Sequence, residues 1–488
     1  MTDHLLEVRD LSVEFHTAAG TVKAVQNVSW HLDRGETLAI LGESGSGKSV
    51  SASAVMNLID MPPGRITSGA ILLNGRDMLA MTPEERRQIN GCKIAMIFQD
   101  PLAHLNPVYS VGWQIAEMVT THGGSRDKAR ARALELLHRV GIPEPEAAMG
   151  KYPHQFSGGQ RQRLMIAMAL ACKPDILIAD EPTTALDVTV QAQVLALLEE
   201  LQAETGMGVL IITHDLGVVA EVADRVVVMN AGRIVETGPA AEVYRNPKNA
   251  YTRKLIGAAP GKGAMHQPLP PAQPVLSVRD LRKSYGGFTA LDGVSFDLMP
   301  GETLAVVGES GSGKSMTGRA ILGLVRPPGR VTADRMELEG QSILNLPERR
   351  MRKIRGRRIS MVMQDPKFSL NPVMTIGDQI VEAYRLHAGG NRTAARQKAL
   401  DMLAAVQIRD PERVMGAYPH EVSGGMGQRV MIAMMLVAEP ELLIADEPTS
   451  ALDVTVQLEV LGILDELVAE RGMGLIFVSH DLRLVSSF

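Results

Sequence analysis

Cysteine, a surplus of basic charge and long apolar runs are all missing from this sequence, and each shortage removes a class of protein. Only Cys92 and Cys172 occur in 488 residues, in different segments and without a C-x-x-C spacing. That pattern excludes a disulfide framework and a structural zinc module, and both residues read as small core or surface side chains. Lysine and arginine total 50 against 55 acidic residues, a formal net charge of -5, where a dedicated nucleic-acid binder would carry a basic excess. The longest apolar stretch, Leu164 to Cys172, is about half the length of a membrane span. Met1 to Glu7 shows no basic start followed by an apolar core, so no secretory signal is visible. A cytoplasmic location is expected, with any work at a membrane done through partners.

What the chain does have is length, 45% hydrophobic residues and a repeat. The length alone allows roughly two to four domains. Gly42 to Ser49 (G-E-S-G-S-G-K-S) returns letter for letter as Gly308 to Ser315, 266 residues later. The same offset joins Ser157 to Ser423, Asp180 to Asp446 and His214 to His480. Near the start the offset is 270, as for Leu11 and Leu281, which places a four-residue difference in the first hairpin. This is a duplicated domain. Residues 261–274 hold four prolines and two glycines and read as a semi-extended linker. The expected organisation is a first domain over 1–260, the linker over 261–274, and a second domain over 275–488. Phe488 aligns with Val222, so the second copy is expected to be cut short, leaving strand edges and apolar surface without cover.

Thr37–Leu41, Ile176–Ala179 and Val209–Ile212 are short apolar runs bounded by polar residues, as buried parallel strands are. Between such runs, Val190, Val194, Leu197, Leu198 and Leu201 share one helical face, with Asp187 placed to cap it. Strand and helix alternate, which predicts a layered α/β domain in each half.

G-x-x-x-x-G-K-S directly after a buried strand is a phosphate-binding loop in its expected context. Gly42, Ser44, Gly45 and Gly47, with Gly308, Ser310, Gly311 and Gly313 in the repeat, let backbone N–H groups wrap phosphates. Lys48 and Lys314 supply charge; Ser49 and Ser315 offer hydroxyls to magnesium. The following helix points its positive end at the anion. A second signal is an apolar strand ending in two carboxylates, Asp180-Glu181 and Asp446-Glu447. A strand-end aspartate beside a phosphate loop suits magnesium, and the adjacent glutamate can polarise an attacking water as general base.

Ser157-Gly158-Gly159-Gln160 and Ser423-Gly424-Gly425-Met426 each open a helical run. With the phosphate loops, they resemble the signature of the ATP-binding-cassette ATPases, and the matching motifs span nearly the whole chain in the family's order. The resemblance implies two tandem P-loop NTPase domains of α/β class. Each would have a mostly parallel core sheet, an antiparallel β subdomain and a helical signature subdomain. It assigns Gln99 and Gln364 as loop glutamines that also reach the magnesium, and His214 and His480 as switch histidines. Ala185-Leu186-Asp187 and Ala451-Leu452-Asp453 match the D-loop, and Phe15 and Tyr285 are similar to the aromatic that stacks on adenine. The cofactors implied are ATP and Mg2+, with Glu181, His214, Glu447 and His480 catalytic. In that family each ATP lies between one module's phosphate loop and the other's signature. Lys48 and Asp180 would then join Ser423 and Gly425, and Lys314 and Asp446 would join Ser157 and Gly159. The pairing would be within one chain or between chains of a dimer.

Gln99-Asp-Pro-x-x-x-Leu105-Asn106-Pro107 and Gln364-Asp-Pro-x-x-x-Leu370-Asn371-Pro372 narrow the resemblance to the peptide/nickel-type importers. Tyr152-Pro-His154 and Tyr418-Pro-His420 also fit that group, as does Pro247-x-x-x-Tyr251-Thr-Arg253-x-Leu255. It implies an ATPase on the cytoplasmic face of the inner membrane, peripheral, working with two integral permease subunits and an extracytoplasmic solute-binding protein. The rival reading is a soluble tandem-cassette ATPase acting on ribosomes or DNA. Its markers, a long charged helical linker or inserted zinc modules, do not occur. The basic run of Arg349, Arg350, Arg352, Lys353, Arg355, Arg357 and Arg358 reads as a solvated face, and no nucleic-acid partner is expected.

Overall fold

Residues 4–17, 20–183, 186, 188–257, 273–309, 311–364, 369–449, 452 and 454–485 are described by a computed structural model. Contacts divide the chain into two units, Met1–Ala259 and Pro260–Phe488. The linker residues 261–272 and the D-loop residues Ala185, Asp187, Ala451 and Asp453 lie outside the described residues, as does Ser310.

In the first unit β1 (Leu6–Thr17) and β2 (Gly20–Leu32) form an antiparallel hairpin, extended by β4 (Gly64–Leu73) and β5 (Arg76–Asp77) in the order β2-β1-β4-β5. Beside it is a six-stranded core sheet ordered β10-β9-β3-β8-β7-β6, made of β3 (Thr37–Leu41), β6 (Ile94–Ile97), β7 (Ile176–Asp180), β8 (Gly208–Thr213), β9 (Arg225–Asn230) and β10 (Arg233–Pro239). All neighbours are parallel except β10 on β9. β3, β7 and β8 are buried along their whole length, which is why they appear as unbroken apolar runs rather than alternating ones. The helices Val111–Thr121, Arg126–Arg139 and Gly158–Ala169 form a third layer around Ile115, Leu136, Leu137 and Leu164. The helix Val188–Thr205 buries Val194, Leu198 and Leu201 from the expected stripe.

The second unit repeats the plan. β11 (Leu276–Tyr285), β12 (Phe288–Leu298), β14 (Gly329–Thr332), β15 (Arg335–Leu338) and β16 (Gln341–Ser342) make the antiparallel layer. β13 (Thr303–Val307), β17 (Ile359–Val362), β18 (Leu442–Asp446) and β19 (Gly474–Ser479) make a parallel sheet ordered β13-β19-β18-β17. The shift in repeat offset has a direct structural form. Tyr285 pairs with Phe288 across the β11–β12 turn, whereas Phe15 pairs with Val22 and the β1–β2 hairpin continues two residues further on each arm. Among the described residues β13 pairs only with β19, and Val307 is 44% exposed where its repeat counterpart Leu41 is 2% exposed.

The two cysteines, distant in sequence, meet in space. The Cys172 thiol donates to the Met118 carbonyl at 3.4 Å. Burial, with Cys92 alongside, pushes it up to about 11. Both are free thiols.

Candidate active site

Register alone assembles the functional residues. Leu41 at the end of β3 pairs with Thr213 of β8, and Ile212 of β8 pairs with Asp180 of β7. The chain therefore leaves three adjacent parallel strands at one edge, through Gly42, His214 and Glu181. Ligands of open α/β sheets bind at such carboxyl ends.

The loop after β3 wraps back on itself. Gly47 has φ 97° and a side-chain carbon there would lie 2.3 Å from the Ala24 carbonyl oxygen, so only glycine fits. From this turn the helix Lys48–Met56 starts. The Lys48 ammonium, 5% exposed, donates to the carbonyls of Gly42 at 2.7 Å and Glu43 at 2.9 Å. In the repeat, Lys314 donates to Gly308 at 2.7 Å and Glu309 at 2.8 Å. Among the described residues the buried Ser46 hydroxyl, in the same loop, has no hydrogen-bond partner, a polar atom left for a ligand to satisfy.

Next to the cradle, the Ser49 hydroxyl donates to the Asp180 carboxylate at 3.0 Å, and Ser315 to Asp446 at 2.7 Å. Burial pushes Asp180 up to about 6, the Glu181 charge adding to it while the Ser49 hydroxyl and Lys48 oppose. Asp446 is raised for the same leading reason, burial. A carboxylate held out of water beside a hydroxyl is a fitting donor set for a hard divalent cation.

Glu181 and Glu447 sit at φ 49° and 48°, a left-handed conformation that is costly for a glutamate. The turn is held by backbone bonds from Glu181 to the Ile212 carbonyl at 2.8 Å and from Glu447 to Val478 at 3.0 Å. Each carboxylate then meets two partners. Gln99 Nε2 donates to Glu181 Oε2 at 2.6 Å and His214 Nδ1 lies 3.1 Å from Oε1. Gln364 and His480 stand in the same places on Glu447, at 2.8 and 3.1 Å. Gln99 thus bonds to the glutamate through Nε2, and Oε1 is the amide atom that would serve the cation expected at Ser49 and Asp180.

The ABC transporter family model matches residues 25–184 and 291–450, one match over each phosphate loop, loop glutamine and strand-end carboxylate pair. The chain belongs to the ABC transporter family. It is 45% identical to the glutathione import ATP-binding protein GsiA of Salmonella typhimurium over 524 residues, covering 99% of this chain and 83% of that protein. It is 44% identical to the peptidoglycan transport ATP-binding protein YejF of Agrobacterium fabrum over 499 residues, covering 100% of this chain and 90% of that protein. A solved dimeric ATP-binding cassette in a post-hydrolysis state with ADP and Pi matches at 28% identity and TM-score 0.44, covering 48% of this chain and 98% of its own. As an ABC transporter ATPase the chain binds and hydrolyses ATP.

The two ABC signatures differ in a way their letters only hint at. Ser157 caps the helix Gly158–Ala169: its hydroxyl accepts from the Gln160 N–H at 3.3 Å, and the Gln160 carboxamide accepts from the Ser157 N–H at 3.0 Å. This is a closed capping box. Ser423 accepts from the Met426 N–H at 3.4 Å, but a methionine returns nothing. Arg161, which donates to the Pro153 carbonyl at 2.8 Å, has Gly427 as its counterpart. In the first cassette this guanidinium ties Tyr152-Pro-His154 to the signature helix, which a glycine at 427 cannot do. Met426→Gln is expected to stabilise the second cassette, and Gln160→Met to destabilise the first, each by about 0.5–1 kcal/mol. Thermal unfolding of the two variants checks both signs. Gly159 and Gly425 are packed closely: an added carbon would meet Val190 at 2.7 Å or Val456 at 2.8 Å.

The Leu-Asn-Pro motif has a similar physical reading. Asn106 makes an Asx turn, accepting from the Val108 N–H at 3.1 Å, and the buried Gln114 both accepts from the Asn106 N–H and donates to the Asn106 and Tyr109 carbonyls. Asn371 and Gln379 repeat the arrangement. The clamp holds Val108, Tyr109 and Trp113 in solvent, 71%, 44% and 44% exposed. The basic run, by contrast, is only in part a solvated face. Arg358 is ion-paired with Glu339 and Glu441, and Arg355 donates to Glu348 and to the Leu322 and Gly323 carbonyls.

Phe15 and Tyr285 lie at the ends of β1 and β11, both half-buried. The Tyr285 hydroxyl accepts from Lys283 at 2.6 Å. Lys283 is 1% exposed and also touches Met316 on the helix that follows the second phosphate loop. Sequence reasoning missed it. Its repeat counterpart is Val13, and that apolar-to-lysine exchange at a core position was the available signal.

Asp180 yields a prediction of stability against pH. Its folded value, near 6, is above the ordinary 3.8. The proton-linked stability is therefore present below the ordinary value and lost as pH rises through about 6. At neutral pH the ionised, buried carboxylate is a net cost. Asp180→Asn is expected to stabilise the nucleotide-free chain at neutral pH by up to about 3 kcal/mol, with the gain shrinking as pH falls below the folded value. Urea unfolding across that range measures it.

Proposed function

We propose that this ATPase energises an importer for peptides or related small solutes such as glutathione. The observation that carries the reading is the similarity, across 99–100% of the chain, to a glutathione import ATP-binding protein and a peptidoglycan transport ATP-binding protein. Ser49, Asp180 and Gln99 would hold one magnesium ion, and Ser315, Asp446 and Gln364 the other. Bound magnesium supplies positive charge that offsets the charge on the phosphate oxygens. Glu181 and Glu447 would polarise the attacking water, positioned by His214 with Gln99 and by His480 with Gln364. Lys48 and Lys314 would bind phosphate through the glycine-rich loops, including Ser44 and Ser310. Ser157, Gly158, Gly159 and Gln160, with Ser423, Gly424 and Gly425, would meet a γ-phosphate. Phe15 and Tyr285 would stack on adenine.

Among the described residues no helix is long and apolar enough to cross a membrane. On the similarity to a glutathione import ATP-binding protein, the chain would act peripherally, on the cytoplasmic face, against two permease subunits served by an extracytoplasmic binding protein. The turn bearing Val108, Tyr109 and Trp113 offers the permease an apolar contact. A detergent pull-down of the N-terminally tagged chain from its native membranes tests this. Two polytopic membrane proteins in the eluate are expected. Ribosomes or DNA-repair factors, with the bait absent from membranes, would overturn the importer reading and leave the ATPase chemistry in place.

A further inference from the structure

We propose that His4, His31 and Asp33 form a binding site for a divalent transition ion of the zinc, cobalt or nickel class. The site stands on the antiparallel layer of the first unit. His4 precedes β1, while His31 and Asp33 bracket the end of β2. One ligand atom from each residue lies within 4.8 Å of the other two, and among the described residues no other group of three histidine, cysteine or carboxylate ligands converges this way. The two imidazoles stack with centroids 3.9 Å apart and planes 29° apart. His4 Nδ1 is 2.6 Å from Asp33 Oδ1.

That short contact is bridged by a proton, and a metal ion would take the proton's place. Nitrogen and carboxylate ligands bind zinc at about 2.0–2.2 Å, so ligand atoms around one ion stand about 3–3.5 Å apart. Opening the 2.6 Å contact by about half an ångström and bringing in the His31 nitrogen, already within 4.8 Å of the other two ligand atoms, would give that spacing. Two imidazoles and one carboxylate select against magnesium and calcium, which prefer oxygen, and suit zinc, cobalt or nickel with a remaining position for water.

The backbone behind the ligands is fixed, as a metal site requires. Arg225 donates to the His31 carbonyl at 2.6 Å and to the Glu36 carboxylate at 2.8 Å, and that carboxylate accepts from the Asp33 N–H at 2.8 Å. The ion pair with Glu36 also offsets the Arg225 charge, which would otherwise repel a cation. The repeat provides an internal comparison. Pro274, Asp297 and Met299 occupy the equivalent positions of the second unit. There Asp297 is engaged by Ser277 at 2.7 Å and by Arg279. The three ligands are thus not demanded by the fold.

The test uses the untagged full chain, stripped by a chelator, without nucleotide, and titrated with Co2+ by its visible absorption and with Zn2+ against a chromophoric chelator. One equivalent is expected, with ligand-field bands and no thiolate charge-transfer band. His4→Ala, His31→Gln and Asp33→Asn should each weaken it by at least about 100-fold. Their Mg–ATP hydrolysis, which uses none of these residues, should match the parent and so report intact folding. Thiolate charge-transfer bands, which would place the ion at Cys92 and Cys172, would overturn the proposal. So would binding unchanged in the His4→Ala/His31→Gln double variant, or no stoichiometric binding at all.

Discussion

Glu181→Gln is expected to lower the steady-state ATPase rate by about 10²-fold or more, and Glu447→Gln to do the same, with ATP binding retained. The substitution keeps shape and removes a base. Glu181 is held at a positive φ of 49° by a backbone bond to Ile212, so the turn does not depend on the side chain's charge. Its two oxygens are already oriented by Gln99 and His214. Burial pulls the His214 imidazolium down, but the hydrogen bond and charge of Glu181 outweigh it and leave the histidine raised. His480 is raised chiefly by its hydrogen bond to Glu447, with burial opposing. That stabilisation is present below the ordinary histidine value of 6.5 and lost as pH rises through the raised one. The glutamine variants should therefore also move the partner histidine's titration downward, a change visible by NMR. An unchanged rate in either variant would remove that carboxylate from the catalytic assignment.

The near-identity of the two clusters explains how much was legible from residues alone. β3, β7 and β8 sit between neighbours on both sides and are buried from both faces, so their composition is dictated locally and their ends carry motifs of fixed spacing. The four-residue offset change was enough to place the shorter β11–β12 hairpin. What could not be read were the pairings that depend on register between distant segments. Gln99 and Glu181 are 82 residues apart, and nothing in either motif says that the amide donates to the glutamate. Arg355 and Arg358 look like solvent charge because their partners, Leu322, Glu339 and Glu441, are remote in sequence. The meeting of Cys92 with Cys172, and of His4 with His31 and Asp33, has the same origin: strand ends are brought together by the sheets, not by spacing.

Lys48→Ala is expected to reduce ATP bound per chain from two equivalents to one, the affected site weakening by roughly 10–100-fold, since hydrogen bonds to charged groups contribute about 1.5–3 kcal/mol. The loss should be large because the ammonium is preorganised. It is 5% exposed and fixed on the carbonyls of Gly42 and Glu43, so little side-chain entropy remains to be lost on binding. Lys314, 8% exposed with the matching pair of carbonyls, should behave alike, and the double variant should be weakened by the same roughly 10–100-fold at both sites. Lys48→Arg separates charge from shape. It keeps the cation, but a planar guanidinium cannot occupy a pocket shaped for a compact ammonium, so it is expected to fail nearly as badly as alanine. Fluorescent-nucleotide titration of the four variants decides the matter. If arginine restores binding, the loop recognises phosphate through net charge alone, and the close packing around Gly47, where an added carbon would meet the Ala24 carbonyl at 2.3 Å, serves folding rather than phosphate geometry.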